Sequence, residues 1–240
     1  TDLHYRLQYP PQHEPYLDVL RAQPPLSRRL DRLAAQLAGE PLDGILLTGD
    51  LTDYGAEEYH LALRRELERV FPGVPVAVTP GNHDRNPALH AVWSPSESSL
   101  VALSFLNDLP VLCLDSSMDG LDAGCIGEEH CVCLEEKLAQ LGQKPSLLIT
   151  HFHLLPHQHP MPPAQFSPLF AEILEKSSVI ALFCGHTHTP YAGFFAGKPY
   201  FTAPSFSFHV LRDAKENLTF APCLGYALYA LKGPKIAHFR

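Results

Sequence analysis

The sequence predicts an α/β protein: a sheet of largely parallel strands with helices packed on it, finished by an antiparallel β segment. Three observations carry that expectation. Short apolar runs alternate with amphipathic stretches of helical period. Each polar cluster of the chain opens where one of those apolar runs stops. From Tyr191 to Phe239, strand-like runs alternate with Gly and Pro turns and no helical period appears.

Taken in order, Leu26, Leu30, Leu33 and Leu37 recur at helical spacing and Gly39 ends that helix. Ile45-Leu-Leu-Thr is a buried strand that stops at Gly49-Asp50. Residues 57–71 form a second helix with Tyr59, Leu63, Leu67 and Val70 on one face. A strand over 74–78 stops at Pro80-Gly-Asn-His-Asp84, and residues 100–106 and 111–114 form a strand pair. Residues 128–141 are helical through Leu134, Leu138 and Leu141, and Leu147-Leu-Ile-Thr is a strand stopping at His151. Ser167 caps a helix reaching Lys176, and residues 179–183 form a strand stopping at Gly185-His-Thr-His188.

Composition sets the bounds. Of 240 residues, 45% are hydrophobic and 18% charged, a globular balance that we read as a single domain over 1–240. Proline, at 23 residues, is about twice its usual share and announces many turns. Lys and Arg number 18 against 26 acidic residues, a formal charge of −8. Without a basic cluster this disfavours nucleic acid beyond short oligonucleotides, although bound cations would add positive charge. The six cysteines form no Cys-x-x-Cys pair and are expected as reduced thiols. No apolar run is long enough to cross a membrane and residues 1–10 hold no secretory core, so we expect a cytoplasmic protein without a membrane partner.

The chemistry lies in Asp2-Leu-His4, Gly49-Asp50-Leu-Thr-Asp53, Gly81-Asn82-His83-Asp84, His151 and Gly185-His186-Thr-His188. Singly each is weak: Gly-Asp after a strand is an ordinary turn, and His-x-His is ordinary alternating strand surface. Together they fall at carboxyl ends of strands, the edge where open α/β sheets bind ligands. Carboxylate, imidazole and amide oxygen suit borderline metals such as Mn, Fe, Zn and Co. So many donors exceed one tetrahedral ion and suit two ions sharing a carboxylate, about 3.5–4 Å apart.

The ordered set resembles the calcineurin-like metallophosphoesterase superfamily from Asp2 to His188. Gly-Asn-His-Asp, with Leu114-Asp115-Ser116 and Gly124, resembles its class III cyclic-nucleotide phosphodiesterase branch. The resemblance implies two packed mixed β-sheets flanked by helices, a four-layer αββα sandwich. It implies two divalent or trivalent ions (Mn, Fe or Zn), one held by Asp2, His4, Asp50 and His188, the other by Asp50, Asn82, His151 and His186. A hydroxide between the ions would attack the phosphorus of a small phosphodiester. His83 would protonate the leaving oxygen and Asp53 would orient it; Asn82 and His83 would also touch the phosphate.

The departures are informative. Tyr54 stands where phosphoprotein phosphatases carry a phosphate-clamping Arg. His151-Phe-His153 replaces the usual His-His, leaving His153 either beside the phosphate or behind the ligands. His157 and His159 are expected as exposed imidazoles, and Arg85 as the only basic residue adjoining a cluster. Specificity is expected from loops at 87–99 and 156–166. Asp-x-His opens the chain where the family has a core strand before it, so we expect residues upstream of Thr1 rather than a frayed Asp2. Alternatives are a broad phosphomonoesterase or a nuclease of the superfamily, and a catalytically inactive scaffold. The scaffold ranks lowest, because such proteins lose ligands and none of the expected positions is lost.

Overall fold

A computed structural model of the chain describes residues 1–84, 86–93, 99–118, 121–159, 161–212, 217–233 and 235–239. The elements of the first part are α1 (Pro15–Ala22), α2 (Leu26–Gln36), β1 (Ile45–Thr48), α3 (Glu57–Val70), β2 (Val76–Thr79) and α4 (Asn86–Trp93). Then come β3 (Val101–Leu106), β4 (Leu109–Leu114), β5 (Ser117–Met118), β6 (Leu121–Ile126), α5 (Glu128–Leu141) and β7 (Ser146–Ile149). After these follow β8 (Gln165–Phe166), α6 (Pro168–Lys176), β9 (Val179–Cys184), β10 (Tyr191–Phe195) and β11 (Lys198–Thr202). The last are β12 (Phe208–Arg212), β13 (Leu218–Pro222), β14 (Tyr229–Leu231) and β15 (Ile236–Phe239).

A six-stranded sheet in the order β10-β11-β9-β7-β4-β3 is parallel through its centre and antiparallel at both edges. Its alternation sorts side chains to two faces. Val111, Cys113, Leu147, Ile149, Ala181 and Phe183 meet Ala77 of β2 and Leu46 of β1. Their neighbours Leu112, Leu148 and Leu182 meet Leu134 of α5 and Phe170 and Leu174 of α6. β1 and β2 form a parallel pair whose outer face, Leu47 and Val78, is covered by Leu30 of α2, Leu63 and Leu67 of α3 and Leu89 of α4. The layers are therefore helix, sheet, sheet, helix. Truncating one of these buried leucines to Ala should cost about 2–5 kcal/mol.

Several elements differ from expectation. β2 starts at Val76, not Val74. α1 and α4 go unread because each is only eight residues long and carries a proline in its first turn, where proline is tolerated but masks the period. α4 also claims much of the stretch expected as a loop over 87–99; residues 94–98, like Arg85, lie outside the described residues. The short strands β5 and β8 escape any period-based reading. The tail forms strands, and no helix follows α6 among the described residues. Among those residues no helix is long and apolar enough to cross a membrane, and the six cysteines form no disulfide.

Candidate metal centre

Four of the five clusters sit just past a strand end, and the Asp2-Leu-His4 cluster lies beside one of them. β1 leads into Gly49-Asp50, β2 into Gly81-Asn82, β7 into His151 and β9 into Gly185-His186. Residues 2–5 run alongside 49–52: Asp2 N–H donates to Gly49 O, His4 N–H to Asp50 O and Tyr5 N–H to Leu51 O, each at 3.0 Å. Asp2 is thus fully buried rather than frayed.

The backbone turns sharply at these points. Asp2, His4, Asp50, His186 and His188 all have positive φ, between 45° and 68°, among only eight such non-glycine residues described. Left-handed backbone is uncommon for such residues and persists where surroundings enforce it, often at functional sites. Gly49 (φ 86°) and Gly81 let the strands close in: a Cβ at Gly49 would overlap the His151 ring, and one at Gly81 the Asp50 carboxylate.

Asp50, 2% exposed, lies between two imidazoles. Its Oδ2 is 3.5 Å from His4 Nε2 and 3.4 Å from His151 Nε2, while Oδ1 accepts the His83 N–H at 2.9 Å. Asp2 Oδ1 is 3.5 Å from His188 Nε2 and accepts the His186 N–H at 3.2 Å. His151 Nδ1 meets the Thr48 carbonyl at 2.8 Å and His188 Nδ1 the Phe208 carbonyl at 2.6 Å. Those contacts make each Nδ1 the donor and turn Nε2 inward, towards Asp50 from His151 and towards Asp2 from His188, the arrangement of metal-binding histidines. Asn82 Oδ1 faces His151 Nε2 at 3.1 Å, and its Nδ2 donates to Asp122 of β6 at 3.0 Å.

Neither nitrogen of His4 has a hydrogen-bond partner, nor does Nε2 of His186, though all are buried. Donor atoms of Asp2, His4 and His188 lie within 4.8 Å of one another, as do those of Asp2, Asp50 and His151. His186 stands beside His151, ring centroids 5.2 Å apart, outside both tight groups. A carboxylate flanked by inward-facing imidazoles, several left without partners, fits cation binding. The electrostatics agree: burial would raise Asp50, yet His151, His83 and His4 hold it well below the carboxylate range. Burial, with neighbouring imidazoles, pushes His4 and His186 down to about 3, leaving neutral rings with free lone pairs.

His83 Nδ1 contacts Asp53 Oδ1 at 2.6 Å. Burial pulls its pKa down, but Asp50 and the Asp53 contact overcome that and raise it to about 9. Asp53 Oδ2 also accepts from Arg6 Nε at 2.6 Å and from the Tyr16 hydroxyl at 3.3 Å. Arg6 went unread although it lies two residues after His4, so Arg85 is not the only basic residue adjoining a cluster. Asp84 went unassigned too, though it stands inside a motif. Its carboxylate accepts from the N–H groups of Leu51, Thr52 and Gly81 at 2.9–3.1 Å, tying the Asp50 turn to the Asn82 turn. Burial, then Asp50, raises its pKa to about 7. Asp122 could not have been found by motif, since a hairpin brings it in from elsewhere in the chain.

Tyr54, about half exposed, places its ring 4.9 Å from that of His83. His153 is fully buried, stacks on His186 at 5.9 Å, and has no hydrogen-bond partner at either nitrogen. His157 is exposed and meets the Tyr191 hydroxyl at 3.1 Å. His159 is half-buried, not exposed, with its ring 6.3 Å from that of His153.

A four-layer αββα sandwich gathers Asp, Asn and His at its strand ends, a donor set that could hold metal ions. The calcineurin-like phosphoesterase family matches residues 1–190, and this chain belongs to that family, a hydrolase of phosphate esters. It is 28% identical over 195 residues to the probable glycerophosphodiester phosphodiesterase GpdQ of Arcobacter nitrofigilis, covering 73% of this chain and 67% of that protein. It is 30% identical over 154 residues to the 3',5'-cyclic adenosine monophosphate phosphodiesterase CpdA of Escherichia coli K12, covering 61% and 54%. A cAMP/cGMP dual specificity phosphodiesterase of Mycobacterium tuberculosis is 28% identical over 181 residues, covering 71% and 57%. The chain spans little more than half the length of the two cyclic-nucleotide enzymes.

Proposed function

We propose that this chain is a phosphodiesterase that binds two metal ions and hydrolyses a small phosphodiester. The observation that carries the reading is Asp50, whose carboxylate lies within 3.5 Å of imidazoles from two different ligand groups, His4 and His151. Asp2, His4, Asp50 and His188 would hold one ion, and Asp50, Asn82, His151 and His186 the other. When bound, such ions polarise phosphoryl oxygens and supply a nucleophile at neutral pH. His83 would donate a proton to the leaving oxygen; its raised pKa keeps it protonated near neutrality. Asp53 would hold the ring through Nδ1, leaving Nε2 to act, and Arg6 and Tyr16 would keep Asp53 charged and fixed. His153 remains a candidate contact on the phosphate side, its stacking on His186 placing it next to that ligand.

The relatives' names support a diester substrate of small size. Local charge argues for a diester less strongly than those names do, because Arg6 already offsets Asp53. Tyr54, in place of a clamping Arg, leaves no extra cation there for a dianion. The test is kcat/KM for bis(p-nitrophenyl) phosphate against p-nitrophenyl phosphate with the same metal, then cyclic nucleotides and glycerophosphodiesters. A diester preference is expected; a clear monoester preference would overturn the reading.

A further inference from the structure

Away from the strand ends, a cavity of about 370 Å³ lies between the chain after Tyr5 and the start of α2. Arg6, Arg21 and Arg29 line it, and Glu66 is the one acidic residue among its lining. Most of that charge is already matched. Arg6 pairs with Asp53, Arg21 with Asp18, and Glu66 accepts from Arg69 at 2.9 Å.

Arg29 is different. It is 5% exposed, its Nη1 donates to the Phe206 carbonyl at 2.7 Å and to Gln23 Oε1 at 3.2 Å, and its Nε has no partner. Both acceptors are neutral, and among the described residues it forms no ion pair. A guanidinium stays charged when buried, so a cation is held here without its counter-charge, a costly arrangement.

A second feature converges on the same space. Leu26 and Ser27, the first residues of α2, also line the cavity. This 11-residue helix has Pro25 at its N-cap, no side-chain cap and no acidic residue in its first turn. Its leading N–H groups and the positive end of its dipole therefore lack a side-chain acceptor.

A helix N-terminus and an unmatched guanidinium call for the same complement, a compact oxyanion. We propose that this cavity binds a phosphate dianion, held by Arg29 and the first-turn amides of α2, with Ser27 and Tyr9 in its wall. Apart from Arg6, which Asp53 already engages, the site shares no residue with the metal centre and does not depend on which ester the enzyme cleaves.

The test is calorimetric titration of the full, metal-loaded chain with inorganic phosphate and, in a second arm, with glycerol phosphate. Asp50→Ala disables the metal centre, so the event it retains is the cavity's. Arg29→Met should abolish that event and Arg29→Lys weaken it at least ~10-fold, since Lys lacks the bidentate fork. Should Arg29→Met fail to fold, Ser27→Asp decides. An acid at this N-terminus suits the helix dipole and so keeps or raises Tm, while repelling the anion. Tighter binding of glycerol phosphate would assign the site to a monoester, tighter binding of phosphate to the free anion. Unchanged isotherms in Ser27→Asp, or a cavity event surviving Arg29→Met, would overturn the proposal.

Discussion

His60 and His4 are both buried histidines, one in the helical layer and one at the strand ends, and their nitrogens are treated in opposite ways. His60 Nε2 meets the Thr52 hydroxyl at 3.3 Å, and its Nδ1 accepts from Trp93 Nε1 at 3.4 Å. His4 has no hydrogen bond at either nitrogen, and His186 and His153 share that condition at Nε2. A buried polar group without a partner costs on the order of 1–3 kcal/mol, so a core position is built to avoid it. At the strand ends the same cost recurs several times around two carboxylates. His60 therefore completes a core, whereas His4 and His186 keep nitrogens free for a cation of the kind proposed above.

The comparison can be broken most severely at Asp50. Asp50→Ala should empty both metal positions, taking metal content from close to two per chain to near none. Turnover should fall about 10³-fold or more, the loss of several kcal/mol of metal stabilisation. Retention of both ions by elemental analysis would refute the shared role.

His83→Ala tests a histidine that is partnered yet functional. Metal content should hold while turnover drops about 10²–10⁴-fold. The drop should be smaller for nitrophenolate leaving groups, which need little protonation. Equal losses for good and poor leaving groups would instead mark a phosphate-positioning role.

The partnerless rings themselves are separated by His186→Ala and His153→Phe. The first should cost one metal ion per chain. The second should keep both ions and leave Tm unchanged or higher, because an apolar ring of similar shape removes an unsatisfied group. Loss of an ion in His153→Phe would move His153 into the ligand set.

The smallest effect belongs to His60, the core control. Burial lowers its pKa from 6.5 to about 4, so it is neutral in the fold and gains a proton on unfolding. Its contribution is therefore full above pH 6.5 and lost as pH falls towards 4, at most about 3 kcal/mol. His60→Gln should flatten urea-unfolding stability across that window; an unchanged pH slope would show that His60 does not carry it.

Much of this was legible in residues read in order. The apolar runs at 45–48, 147–149 and 179–183 had to be strands, since short β-branched and leucine runs bounded by polar turns bury on both faces. Gly-Asp, Gly-Asn-His-Asp and Gly-His-x-His were each weak alone, and it was their order at strand ends, with the family resemblance, that pointed to one site. What sequence could not decide is pairing across the chain. Arg6 against Asp53, Asp122 against Asn82 and the Phe208 carbonyl behind His188 join residues 20 to 47 positions apart. Only packing of two sheets and a hairpin brings such groups within hydrogen-bond reach. The same holds for the histidines: composition counted fourteen, but burial and partners separate the core ring of His60 from the unsatisfied rings around Asp50. Hydrogen bonds and desolvation act over a few ångströms of space, and a chain acquires those distances only by folding.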